Sequence, residues 1–137
     1  MTIREQILET FKSDLATLGI FQRILVMKFV DIKTLQAPAA TIYSFETRRV
    51  SDFEKAAGYE TWVWTIAVEI LDQTEQLEKR QGQVHEKVLS NPQRTGLAMG
   101  TSFERETFDG TDSTLVRGLK TLYFDVIFRH PWGSPGT

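Results

Sequence analysis

The segment Thr61–Leu71, TWVWTIAVEIL, decides the fold. Successive side chains of an extended strand point to opposite faces, so Trp62, Trp64, Ile66, Val68 and Ile70 fall on one side of it. A second run, Leu119–His130, repeats the pattern with Leu122, Phe124, Val126 and Phe128. Each run has one apolar side and one mixed side. Two such strands predict a twisted antiparallel sheet with one face buried.

Working outward, Thr41–Val50 reads as a further strand with Ile42, Tyr43 and Phe45 as its apolar content. Gln36–Ala40 interrupts the chain before it, because Pro38 holds Ala37 extended. Phe21–Asp31 reads as a strand, with a short continuation of a helix as the alternative. The chain opens on Thr2-Ile3-Arg4-Glu5, a capping-box pattern. Ile3, Ile7, Phe11, Leu15 and Leu18 follow as one apolar helical stripe, and Gly19 suits a left-handed C-cap.

Beyond Thr61–Leu71, the stretch Gln73–Leu89 has helical periodicity, with Leu77, Val84, Val88 and Leu89 inward. Glu75, Glu78, Lys79, Arg80, Glu86 and Lys87 form its solvated face. Gly82 weakens that helix by about 1 kcal/mol relative to alanine, and Asn91-Pro92 stops it. Gln93–Gly100 is a loop, Thr101–Asp109 a strand, and Asp109–Gly118 a polar connection. The predicted fold is a single α+β domain over residues 1–130 in the order α-β-β-β-α-β-β. It has an antiparallel sheet of four to five strands, two helices on one face, and a flexible Gly/Pro-rich tail over 131–137.

A chain of 137 residues suits one domain, and roughly two thirds of its unfolded surface can be buried. A net charge of −2 argues against a dedicated nucleic-acid binder. The absence of cysteine excludes disulfides, thiol catalysis and thiolate metal sites, and fits a reducing cytoplasm. No run is long and apolar enough for a transmembrane helix, and the charged, amphipathic Met1–Phe11 has no signal-peptide character.

Few residues invite chemistry. His85 and His130 are the two histidines, on different elements; a metal site would need both together with carboxylates, and surface histidines are the plainer reading. Glu75 and Glu78 lie one helical turn apart but are flanked by Lys79 and Arg80, which favours a solvated face. No nucleophile elbow, dinucleotide fingerprint or phosphate loop is present. Asp109-Gly110-Thr111-Asp112 lacks the alternating acidic ligands of a calcium loop and reads as a polar turn. No catalytic residue, metal ligand or cofactor is therefore expected. Trp62 and Trp64 read as core, with an oligomer interface as the alternative. Arg48 and Arg49 adjoin Asp52 and Phe53; they read as solvated charges or as a half-buried rim paired across subunits. Two helices cannot cover both faces and all edges of such a sheet, which favours an assembling protein.

The order of segments resembles the tail terminator, or tail completion, proteins of long-tailed bacteriophages, the class that includes minor tail protein U. The resemblance is carried by the amphipathic helix Thr2–Leu18, the segment Ala37-Pro38-Ala39-Ala40-Thr41-Ile42-Tyr43, the charged stretch Glu46–Asp52 and the strand Thr61–Leu71. The second helix, ending in Leu89-Ser90-Asn91-Pro92, and the ending Tyr123–His130 with Trp132-Gly133-Ser134-Pro135 complete it. That ending is similar to the Tyr-Arg-x-x-x-Gly-Asp-Pro endings of phage neck and tail proteins, with Ser134 in place of the Asp and Phe128 where a Tyr often stands.

The resemblance implies a structural virion protein, assembled in the host cytoplasm and not an enzyme. It would form a homo-oligomeric ring, typically a hexamer, that caps the head-proximal end of the tail tube, ends polymerisation and joins the head–tail connector. DNA would pass through the lumen without specific binding, and no membrane is involved. On this reading the loops Val50–Gly58, Gln93–Gly100 and Asp109–Gly118 carry contacts to other subunits or partners. Arg48, Arg49, Asp52, Phe53, Arg94, Asp109, Asp112 and Arg117 are the interface candidates. A neck or head–tail joining protein of the same fold is one alternative. A small α+β enzyme or ligand-binding domain, with its pocket between the Trp-bearing face and the second helix, is another.

Overall fold

The computed structural model describes residues 2–27, 35–49, 59–109 and 117–131. Helix α1 (Ile3–Leu18) begins at the capping box: the Thr2 hydroxyl accepts from the Glu5 N–H at 3.0 Å and the Glu5 carboxylate accepts from the Thr2 N–H at 3.4 Å. It ends at Gly19, whose φ of +67° lies in the left-handed region that glycine adopts without a Cβ penalty.

Five strands follow in one sheet: β1 (Arg23–Val26), β2 (Ala39–Arg49), β3 (Tyr59–Gln73), β4 (Gly100–Asp109) and β5 (Arg117–Pro131). Between β3 and β4 lie a single 3₁₀ turn (Thr74–Gln76) and helix α2 (Leu77–Leu89). The spatial order is β1-β2-β3-β5-β4. The two strands with the clearest alternation, β3 and β5, pair antiparallel along their whole length at the centre, from Tyr59 opposite Pro131 to Gln73 opposite Arg117. Strand β5 thus runs one residue past the expected domain limit; residues 132–137 of the expected tail lie outside the described residues.

The α+β class and the element order agree with the sequence, and the sheet differs in one pairing. Strands β2, β3, β5 and β4 are mutually antiparallel, but β1 pairs with β2 in parallel, from Arg23 beside Ala39 to Val26 beside Ile42. The expected antiparallel sheet rests on hairpin-length loops between strands. Twelve residues separate Val26 from Ala39, enough for a crossover and not a tight turn. The described part of β1 is also only four residues, far shorter than the expected Phe21–Asp31; residues 28–31 lie outside the described residues.

Both helices pack on the face that carries the apolar alternation. Ile7, Phe11 and Leu15 of α1 and Val84 and Val88 of α2 are fully buried against Ile66, Val68, Ile70, Leu122, Phe124, Val126 and Phe128. Each such side chain contributes about 1.5–3 kcal/mol of burial free energy. Leu8, outside the expected stripe, is buried as well. Trp64 is core: it meets Phe128 edge-on at 6.4 Å, and its indole N–H donates to Ser44 Oγ at 2.7 Å. The Arg4 guanidinium lies 5.6 Å from both rings. Arg80, expected on the solvated face of α2, is instead only 19% exposed, with Nε 2.8 Å from Asp72 Oδ2. The carboxylate at the end of β3 draws it in.

Candidate functional site

The outer face of the sheet, opposite the helices, is assembled from the residues that alternate with the core. Its central rung runs straight across four strands: Tyr43 of β2, Ala67 of β3, Tyr123 of β5 and Arg105 of β4 stand in register. Ala67 is fully buried between two tyrosines, and Tyr123 is 8% exposed. The next rung places Thr65 beside Asp125, and the Thr65 hydroxyl donates to Asp125 Oδ1 at 2.6 Å.

Two bulges aim side chains at this rung. The β2–β3 register slips between Ser44 and Glu46, and the β4–β5 register slips between Phe103 and Arg105. A bulge inserts one extra residue and re-aims its neighbours. The first turns Phe45 inward, so that its ring meets Tyr123 edge-on at 4.9 Å. The second sets the Arg105 guanidinium 4.5 Å from the Tyr123 ring centre and 5.5 Å from that of Phe45, while its Nε lies 3.3 Å from Glu104 Oε2. The two slips lie on either side of the paired Ile66 and Phe124. The result is an aromatic and cationic layer around one ring.

Carboxylates frame that layer. Arg48 reaches Asp125 Oδ2 and Glu46 Oε1, each at 3.5 Å. The Tyr43 hydroxyl is pushed up to about 12, first by burial, then by the negative charge of Glu69, by Tyr123 and by its hydrogen bond to Glu69. It therefore stays neutral and donating at any ordinary pH. An arginine stacked on aromatic rings beside carboxylates is chemistry for recognition and packing. Among the described residues, no group of three or more His, Asp or Glu could hold a metal ion. His85 packs edge-on against Phe103 at 4.7 Å, on the helix side and away from this surface. The space between Trp64 and α2, where a ligand-binding domain would need its pocket, is filled by core side chains including Val84, Val88 and Phe124.

The sequence-expected interface residues are dispersed. Arg48 lies on the outer face, opposite Val63 in register. Arg49, one residue on, points to the helix side, with Nη1 3.5 Å from Glu60 Oε1, so the two arginines form no common rim. Asp109 is the last residue of β4, opposite Leu119. Arg117 donates from Nη1 to the Leu35 carbonyl at 3.1 Å. Asp52, Phe53 and Asp112 lie outside the described residues, as do the whole loop 50–58 and residues 110–116.

Arg94 is a correction. Expected on an exposed loop, it is fully buried beneath α1, with its guanidinium carbon 4.2 Å from the Phe11 ring centre. Nη2 lies 2.5 Å from Asp14 Oδ2, Nε donates to Thr10 Oγ1 at 3.0 Å, and Nη1 donates to the Val88 and Asn91 carbonyls, each at 2.9 Å. Burial pulls its pKa below the usual value and Asp14 opposes that pull. The backbone meets this geometry with positive φ at Arg94 (+48°) and Thr95 (+61°). Such non-glycine conformations persist only where the surroundings over-determine them, and here four hydrogen-bonded partners do so. Arg94 ties the first helix to the loop after the second and cannot meet a partner at the surface.

Sequence reasoning missed Tyr43, Arg105, Tyr123 and Asp125 as a group. The available signal was the mixed side of the long strands, where Tyr123 and Asp125 alternate with the core residues. No family model matches the chain, and no curated protein matches it.

Proposed function

We propose that this protein is a ring-forming structural component of a virion, of the tail-terminator kind, and not an enzyme. Copies form a homo-oligomer, a hexamer on this reading, that caps the head-proximal end of the tail tube and joins it to the head connector. DNA passes through the lumen without being read. The observation that carries this reading is the sheet itself. Among the described residues the five strands are covered by helices on one face, and the other face presents Phe45, Arg48 and Arg105, with Phe45 45% exposed. Surfaces that combine aromatic rings and arginine are those that protein partners use. The order of family-like segments along the chain supports the same reading.

The test is the particle formed. Light scattering at micromolar concentration should give a mass several times that of the 15.7 kDa chain, and negative-stain images should show a ring with a central hole. Addition to polymerising tube protein should cap the tubes. A strict monomer that neither caps tubes nor binds a connector would overturn the proposal. Capture by the connector without tube capping would reassign the protein to the neck.

A further inference from the structure

We draw no further inference here: the strongest candidate, the cavity of about 380 Å³ that Thr74, Leu77, Glu78, Phe108 and Lys120 line between the start of α2 and the β4–β5 pair, has its buried cation, Lys120, already paired with Glu78 and Glu106, and nothing among the described residues shows what covers it.

Discussion

On the helix side of the sheet, Ile66, Val68, Phe124 and Phe128 reach zero exposure beneath α1 and α2. On the outer side, Ala67 is equally buried and Thr65 nearly so, although both helices pack on the opposite face. The first face is sheltered from above, by large apolar side chains inserted between helix and sheet. The second is sheltered laterally: Ala67 is short and stands between Tyr43 and Tyr123, and Thr65 is tied to Asp125. Apolar volume holds one face, whereas hydrogen bonds and ring contacts among long neighbours hold the other. The same sheet can therefore be rigid at its centre while presenting polar and aromatic groups at its rim.

If that contrast is right, the two faces should respond to truncation very differently. Trp64→Ala empties the helix side and should cost about 3–5 kcal/mol, read as a lowered urea midpoint. A cost below about 1 kcal/mol would mean that this face is not the core. Asp14→Ala should also be severe, about 3 kcal/mol or more, because it strands the Arg94 charge in an apolar site. Replacing Arg94 by Met at the same time should recover part of that loss, which a merely helical role for Asp14 would not explain.

Changes on the outer face should be milder. Tyr43→Phe removes one half-buried hydroxyl and its bond to Glu69, for about 1 kcal/mol. Tyr43 also sets a pH dependence. Its folded pKa of about 12 stands above the ordinary 10.0, so its contribution is complete below pH 10 and is lost as pH rises from there toward 12. An ultraviolet titration should show one tyrosine ionising late, and that late step should vanish in Tyr43→Phe. The smallest effect should come from Arg105→Ala, about 0.5–1 kcal/mol of folding stability, as for an exposed cation over a ring. Its circular dichroism spectrum should stay native.

Much of this architecture was legible. The alternation in Thr61–Leu71 and Leu119–His130 reports directly which side chains leave water, and those residues are the core. The helix limits were equally open, since Thr2, Glu5 and Gly19 act within a few residues of their own positions. The parallel pairing of β1 was not legible, because alternation says which face is buried and not which neighbour a strand joins. The bulges at Phe45 and Glu104 were hidden for a related reason: each is a slip against a partner strand and leaves no mark in its own segment. Arg94 was misread because a lone arginine in a polar loop looks solvated. Its burial depends on Thr10 and Asp14, which lie 84 and 80 positions away.

That distant tether has a consequence for how the molecule opens. In a chain with no sulfur bridge, the guanidinium of Arg94 serves as an ionic latch between the first helix and the turn that follows the second. Peeling α1 away would break the Arg94 bonds to Asp14 and Thr10 and its contact with Phe11 together, which couples opening of the helix to loosening of that turn. Amide exchange in α1 and in residues 91–97 should rise together, as one cooperative unit, whatever the redox state of the surroundings.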